Sequence, residues 1–327
     1  MQKTPAPPWY HPSAIVVPPR SELHPNAPPM LSPRDIYNYL DSRIYKQDAA
    51  KKAAALFAWK TLRGIKENAF FIGPSGCGKT EIFRALSEWN PFADKISIVD
   101  ASNLTLSGWK GDKKVESLFD DPVISSGKQV ILVLDEIDKA LTPKVSSAGD
   151  DYAKHLQGEL LKPLEGTFLT FERNNSSFQV DTSRVNFALV GAFSTKASEI
   201  AEKAKGSTIG FNSTPESVQA YSKPLELQDL LDFGVMPEFA GRVQRIVNLE
   251  PMSQDDYISM LSERDFSLVE RFKSLYGINL HLTPNTRLKI AQNASESNLG
   301  IRGMQNIIQN MIDDFLFEDC TQTEIEF

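Results

Sequence analysis

Gly73-Pro74-Ser75-Gly76-Cys77-Gly78-Lys79-Thr80 is the stretch that decides the fold, because it fills every position of a phosphate-binding loop. It follows the apolar residues 69–72, which predict a buried strand, and it precedes residues 81–86, which have helical spacing. Glycines let such a loop turn its N–H groups inward, and the N-terminus of the next helix favours a bound polyphosphate. We predict that Lys79 reaches the β- and γ-phosphates of ATP and that the Thr80 hydroxyl binds Mg²⁺, with Glu81 beside them.

A second apolar run, residues 129–134, ends in the carboxylates of Asp135 and Glu136. A strand that is apolar along its whole length is buried on both faces, as in a parallel sheet, and ligands bind at the carboxyl ends of such strands. We predict that Asp135 holds the magnesium ion and that Glu136 polarises the attacking water. The alternative is that both residues only begin a polar loop. Together the two motifs predict a domain that binds and hydrolyses ATP.

The composition excludes several other classes of protein. A net charge of −7 over 327 residues argues against a nucleic-acid binder that depends on general basic attraction. The two cysteines, Cys77 and Cys320, give neither a disulfide framework nor metal-ligand spacing. The sequence shows no pattern of a signal peptide or a transmembrane span, so we predict a soluble cytoplasmic protein.

The chain divides by pattern into three parts. Residues 1–32 are proline-rich and predict an extended or disordered leader, either passive or docked on a neighbour through Trp9 and Tyr10. Residues 33–250 alternate helical and strand-like segments, which predicts a large ATPase domain of α/β class with a doubly wound parallel sheet. Residues 251–327 predict a small, mainly helical domain with one strand-like piece at 278–282. Within these parts we predict helices at 33–41 and 47–63 and strands at 69–72, 95–99, 129–134 and 185–190.

Six strings narrow the class of ATPase: Asp135-Glu136-Ile137-Asp138-Lys139, Leu164-Glu165-Gly166-Thr167, Val180-Asp181-Thr182-Ser183, Gly191-Ala192-Phe193, Gly234-Val235-Met236-Pro237-Glu238-Phe239-Ala240-Gly241-Arg242 and Gly300-Ile301-Arg302-Gly303. In order and spacing, from about residue 31 to 318, they resemble the ClpX family of AAA+ unfoldases. The resemblance implies an ATP-driven ring, usually of six copies, that unfolds or threads protein clients.

The resemblance also implies roles for single residues. Arg242 would be the arginine finger that reaches the nucleotide of a neighbouring subunit, since it has no target in its own, and Arg302 would contact the phosphates of its own subunit. A surface ion pair is the alternative for either arginine. Ile44 and Tyr45 align with the segment on the adenine side, or are ordinary core residues; Lys46 stands where the family usually has a glycine.

Two loops bear on what the ATP is used for. Trp109 and Lys110 occupy the position of the family's first pore loop, where an aromatic side chain grips a translocating chain; packing of Trp109 on its own domain is the alternative. Ile209-Gly210-Phe211 matches the tripeptide with which the family docks into the ClpP peptidase.

The departures from the family concern substrate recognition. The chain has no paired cysteines for the family's N-terminal zinc-binding domain, residues 171–178 are shorter and less basic than the pore-entrance loop, and residues 323–327 predict a shortened last strand. Three functions therefore stay open: an unfoldase, with or without delivery of clients to a ClpP-like peptidase, a remodeller that works without a protease, and a nucleotide-gated scaffold with slow turnover.

Overall fold

The computed structural model describes residues 31–105, 113–145, 149–173, 176–204, 221, 223–262, 268–296, 300–319, 321 and 324–327. The leader at 1–30, the predicted pore residues Trp109 and Lys110 and the predicted docking tripeptide Ile209-Gly210-Phe211 lie outside these residues. Among the described residues, each helix is too short or too polar to span a lipid bilayer.

The described strands are β1 (Ala69–Ile72), β2 (Ile96–Asp100), β3 (Leu104–Thr105), β4 (Lys113–Lys114), β5 (Val130–Asp135), β6 (Phe168–Arg173), β7 (Ser176–Asp181), β8 (Val185–Gly191), β9 (Arg245–Asn248), β10 (Asn279–His281) and β11 (Glu324–Glu326). The described α-helices are α1 (Pro33–Asp41), α2 (Asp48–Leu62), α3 (Lys79–Glu88), α4 (Ile137–Leu141), α5 (Tyr152–Glu165), α6 (Ser194–Ala204), α7 (Leu227–Phe233), α8 (Pro237–Ala240), α9 (Gln254–Met260), α10 (Leu268–Tyr276), α11 (Pro284–Glu296) and α12 (Ile301–Glu318).

The central sheet has five parallel strands in the order β2-β5-β8-β1-β9. The four predicted strands agree with β1, β2, β5 and β8 to within one residue at each end, which confirms the parallel α/β fold. The order brings the carboxyl ends of β1, β5 and β8 to one edge of the sheet. We call this edge, where residues 73, 135 and 191 lie, the carboxyl edge; the opposite edge, where β1, β8 and β9 begin, is the amino edge.

Layers cover both faces of the sheet, as the doubly wound prediction requires. One cluster of buried residues joins Phe71 and Val133 to helices α1–α3 and to residues 252–325. The second joins Phe70 and Leu132 to α4, α5, α7 and α8. Neighbouring residues of β1 and β5 thus enter opposite clusters, because side chains alternate across a strand. This explains why both strands are apolar at nearly every position.

Strand β9 and the hairpin of β6 with β7 are among the elements that the sequence predictions did not include. Strand β9 adds a fifth strand beside β1. An antiparallel hairpin, β6 with β7, stands between α5 and β8, where we predicted a pore-entrance loop. In the C-terminal segment (residues 251–327), the strand-like piece predicted at 278–282 and the short last strand predicted at 323–327 are β10 and β11, which pair in parallel.

Helix α1 begins as its sequence predicts. Ser32 is the N-cap, its hydroxyl accepts a hydrogen bond from the Asp35 N–H, and the Asp35 carboxylate accepts one from the Ser32 N–H at 2.8 Å. Pro33 fills the first helical position, where no N–H is needed. The same reciprocal cap begins α9 in the C-terminal segment, with Ser253 and Asp256.

Candidate nucleotide site

The phosphate-binding loop joins β1 to α3 at the carboxyl edge. Gly73 is required by close approach, because a Cβ there would lie 2.9 Å from the Leu249 Cβ. Gly78 has φ of 99° immediately before α3 begins, a conformation that favours glycine. The Lys79 ammonium donates to the carbonyls of Gly73 at 2.7 Å and Pro74 at 2.6 Å, so it lies folded over its own loop.

The two predicted magnesium ligands contact each other. The Thr80 hydroxyl donates to one oxygen of Asp135 at 2.8 Å, and the other oxygen accepts from the Glu136 N–H at 3.0 Å. Asp135 ends β5 and Thr80 lies in the first turn of α3, so the parallel sheet brings them together across 55 residues. A hydroxyl and a carboxylate are oxygen donors of the kind Mg²⁺ takes beside nucleotide phosphates, so the residues present fit the ion.

Glu136 stands at the mouth of the same site. It has φ of 56° and precedes α4, and its carboxylate pairs with the Lys139 ammonium at 2.6 Å. That hydrogen bond raises the pKa of Lys139. The Glu136 side chain is 37% exposed, which leaves it accessible to a water molecule.

Asp138 is a residue whose role the sequence analysis did not assign. Its carboxylate accepts from the Phe193 N–H at 3.1 Å, and a Cβ on Gly191 would lie 2.8 Å from it. Phe193 has φ of 53°, so the chain turns sharply where β8 ends. Asp138 therefore fixes the end of β8 against the strand that carries Asp135. The run Gly191-Ala192-Phe193 was the only signal of this contact.

Residues 44–47, which we predict on the adenine side of the nucleotide, contact both the phosphate-binding loop and the chain at residue 250. Ile44 is 5% exposed and belongs to the core, and Tyr45 is half-buried against that core. Gln47 is buried; its amide donates to the carbonyls of Cys77 and Glu250, and its oxygen accepts from the Glu250 N–H. Sequence reasoning missed Gln47, because its partners lie 30 and 203 residues away along the chain.

The C-terminal segment contacts the region of the site at two points, one at Lys46 and one at the phosphate-binding loop. The Lys46 ammonium pairs with Asp256 at 2.9 Å, which raises the pKa of Lys46 and lowers that of Asp256. Gly300 precedes α12, and a Cβ there would lie 3.4 Å from the Gly76 Cα. Arg302 is exposed in the first turn of that helix, two residues beyond this contact.

Arg242 lies apart from these residues, at the amino edge. Its backbone carbonyl accepts from the Asn68 amide at 2.8 Å, and Asn68 directly precedes β1. Its guanidinium donates to the Glu238 carbonyl and to the Glu165 carboxylate. Our expectation that Arg242 has no target in its own chain therefore needs a correction, because Glu165 pairs with it.

Comparison with known proteins agrees with this geometry. Residues 66–246 match the family model of the AAA domain (Cdc48 subfamily), and residues 253–326 match that of the C-terminal, D2-small domain of ClpB protein. The ATP-dependent Clp protease ATP-binding subunit ClpX 2 of Wolinella succinogenes is 31% identical over 324 residues, which cover 90% of this chain and 79% of that protein. The ClpX subunit of Treponema denticola is 26% identical over 325 residues, covering 88% and 77%. A chain with this identity over this length belongs to the ClpX family of AAA+ ATPases, enzymes that hydrolyse ATP.

Proposed function

We propose that this chain is an ATP-driven protein unfoldase or translocase, which works as a ring in which Arg242 of one copy acts on the ATP of the next. The observation that carries the proposal is the separation of Arg242 from its own phosphate-binding loop. Arg242 is anchored to Asn68 at the amino edge, whereas the loop starts at Gly73, beyond the four residues of β1. At about 3.3 Å per residue this is about 15 Å, so the guanidinium suits a nucleotide on another copy.

Each residue of the site then has a task. Lys79 leaves the carbonyls of Gly73 and Pro74 and binds the β- and γ-phosphates. Thr80 and Asp135, which contact each other, would hold Mg²⁺, and the ion would neutralise phosphate charge there. The Glu136 carboxylate orients the water that attacks the γ-phosphorus, and the bond to the β-phosphate oxygen breaks. Arg242 from the neighbouring copy stabilises the charge on the transferred group.

In this proposal, Arg302 links the bound nucleotide to the C-terminal segment. The contact of Gly300 with Gly76 supports this role, since α12 begins against the loop that holds the phosphates. A phosphate bound there would attract the Arg302 guanidinium and draw α12 with it. The angle between the C-terminal segment and the sheet would thus follow the nucleotide state.

The part of the proposal that says what ATP hydrolysis drives depends on the two predicted loops. Trp109 and Lys110 would grip the client in the pore, and Ile209-Gly210-Phe211 would dock a ClpP-like peptidase. The relatives' names support the last point in part, since they describe ATP-binding subunits of an ATP-dependent Clp protease. The six-copy ring, the peptidase and the cytoplasmic location are all parts of the proposal.

A two-part experiment tests the mechanism. ATP turnover should disappear in Glu136→Gln and in Arg242→Ala, and mixing the two inactive variants should restore part of it. Restoration is expected because a Glu136→Gln copy still offers an intact Arg242 to a neighbour whose Glu136 is intact. Wild-type turnover in Arg242→Ala would refute the trans mechanism.

Degradation of a loosely folded fluorescent client, with ATP and a ClpP-type peptidase, tests the use of the energy. Loss of degradation on deleting residues 209–211 is the expected result. Rapid ATP turnover with an intact client would favour the protease-independent remodeller, and negligible turnover with nucleotide-dependent assembly would favour the scaffold.

A further inference from the structure

We infer that Glu165 is a positioning residue for the arginine finger: its carboxylate holds the Arg242 guanidinium in the orientation that meets a neighbour's nucleotide. The inference rests on the proposed role of Arg242 and deepens it. Glu165 lies in one of the strings that resemble the ClpX family, but no function was assigned to it from the sequence.

The contacts of Arg242 leave part of its guanidinium available. Nη1 donates to the Glu238 carbonyl and Nη2 donates to the Glu165 carboxylate. Each of these nitrogens carries two hydrogens, so each keeps one N–H for a further acceptor. Nε is buried, but the side chain as a whole is 27% exposed, so in this inference the Nη groups are the ones that meet a phosphate. Two bonds from the same chain therefore fix the plane of the guanidinium without using up its donors.

A buried amide holds the two partners side by side. Asn68 is fully buried, and its Nδ2 donates to the carbonyl of Leu164 at 2.9 Å and to that of Arg242 at 2.8 Å. Its Oδ1 accepts from the Phe187 N–H at 3.2 Å in β8. The backbones at Glu165 and Arg242 are thus both anchored to the central sheet, so the ion pair between them does not depend on two free surface side chains.

The position of Glu165 argues that it serves Arg242 rather than its own helix. Glu165 is the last residue of α5, and Gly166 is the C-cap with φ of 85°. A carboxylate at the C-terminus of a helix is disfavoured by the helix dipole. Its charge is balanced by the guanidinium across the chain, and a charge-assisted bond of this kind orients as well as attracts.

Ordering the finger beforehand should speed turnover. An arginine side chain has many rotamers, and one that is already ordered loses less entropy when it meets the transition state. Without Glu165 the guanidinium would keep only the Glu238 carbonyl. We expect Glu165 to affect kcat rather than KM, because the residues that bind a subunit's own ATP are untouched.

The test is steady-state ATP hydrolysis by the full chain in four forms: wild type, Glu165→Gln, Arg242→Ala and the double variant. Glu165→Gln should lower kcat by about ten- to a hundred-fold, the range expected for a misplaced catalytic group, with KM unchanged. The double variant should match Arg242→Ala alone. Glu159→Gln, which makes the same charge change on α5, should keep wild-type kcat.

A mixing experiment distinguishes positioning from loss of fold. Adding inactive Glu136→Gln copies, which carry an intact Glu165 and Arg242, should raise the turnover per Glu165→Gln copy. A Glu165→Gln chain that cannot fold would not respond.

Other outcomes overturn the inference. If Glu165→Gln keeps the wild-type kcat while Arg242→Ala is inactive, the positioning role of Glu165 is refuted, whereas the role of Arg242 as arginine finger is not. A raised kcat would show that Glu165 withholds the finger instead, and a lowered kcat that added Glu136→Gln copies do not restore in a folded Glu165→Gln chain would show that Glu165 acts elsewhere. Wild-type kcat in Arg242→Ala would refute the proposed function itself.

Discussion

The two edges of the central sheet are built differently. At the carboxyl edge, the polar groups come from short runs that directly follow a strand, such as Lys79 and Thr80 after β1 and Asp135 and Glu136 at the end of β5. At the amino edge, the ion pair of Glu165 and Arg242 joins residues 77 positions apart. In the proposed function, the carboxyl edge holds nearly all of one nucleotide site, whereas the amino edge offers one guanidinium to a site on another copy.

The difference shows how the two edges depend on the rest of the molecule. A loop at the end of a buried strand is positioned by that strand. The amino edge needs a separate device to align its parts, and Asn68 supplies it through bonds to Leu164 and Arg242. Damage to the carboxyl edge should therefore abolish chemistry directly, while damage to the amino edge should act through folding and alignment.

The largest effect is expected from Lys79→Ala at the carboxyl edge. The variant loses the only cation within the phosphate-binding loop, so we expect turnover to fall by a hundred-fold or more, about the loss seen when one transition-state donor is removed. Phosphate release measures turnover, and a fluorescent nucleotide measures binding. Lys95→Ala, which removes a surface partner of Asp94, is the matched control. Turnover near that of wild type in Lys79→Ala would contradict the assignment.

Asn68→Ala tests the alignment at the amino edge. It removes three hydrogen bonds, two to carbonyls and one from the Phe187 N–H, so the free energy of unfolding should fall by about 3 kcal/mol. Chemical denaturation measures this loss. We also expect a lower kcat, because Arg242 loses the anchor of its backbone.

Asn186→Ala is the control for that prediction. The Asn186 amide also makes three hydrogen bonds at the amino edge, to Thr61, to the Ile65 carbonyl and from the Glu67 N–H, but none to Arg242. Both variants should lose similar stability, and only Asn68→Ala should lose kcat. An equal fall in kcat would show that general loosening, not alignment, lowers turnover.

A partly buried lysine gives the amino edge a pH dependence. Lys66 donates to the carbonyls of Thr182 and Val185, and burial lowers its pKa to about 7. Below pH 7 Lys66 is protonated in both the folded and the unfolded state, so burial of its charge lowers the free energy of unfolding by its full amount. Between pH 7 and 10.5 only the unfolded state holds it, so stability should rise with pH by up to about 1.4 kcal/mol per unit.

Lys66→Met should remove this slope. The free energy of unfolding of each protein, measured between pH 6 and 10, gives the difference between them. That difference should change in favour of the wild type as the pH rises. Parallel curves would show that the two carbonyls keep Lys66 charged at every pH in this range.

The parts of the fold and site that the sequence predicts, and the parts that it does not, divide in the same way as the two edges. Strands β1 and β5 were predicted to within one residue because they are apolar on both faces. Strand β9 was missed because three of its four residues are only half-buried, so that its pairing with β1, rather than a local pattern, defines it. The bonds of Gln47 and the pair of Glu165 with Arg242 likewise depend on distant partners, which no short motif encodes.

The smallest effect is expected at Lys46, where the carboxyl edge meets the C-terminal segment. The family resemblance puts a glycine at this position, and the structure gives the physical reason, since Lys46 has φ of 57°. Lys46 adds an ion pair with Asp256 at 2.9 Å, and both side chains are partly exposed to solvent. Lys46→Ala keeps the unfavourable φ and loses the pair, so we expect a loss of about 1 kcal/mol or less, which high salt should reduce.

Lys46→Gly separates the two contributions. It loses the same ion pair but relieves a left-handed conformation that costs a side chain about 1–2 kcal/mol, so its stability should equal or exceed that of wild type. Chemical denaturation of the three proteins at low and high salt decides the matter. If Lys46→Gly is less stable than Lys46→Ala, the flexibility that glycine adds to the unfolded chain outweighs the strain. Lys46 would then stabilise the protein by restricting the unfolded backbone as well as by its charge. The contact between the carboxyl edge and the C-terminal segment would in that case depend less on the ion pair with Asp256 than the geometry indicates.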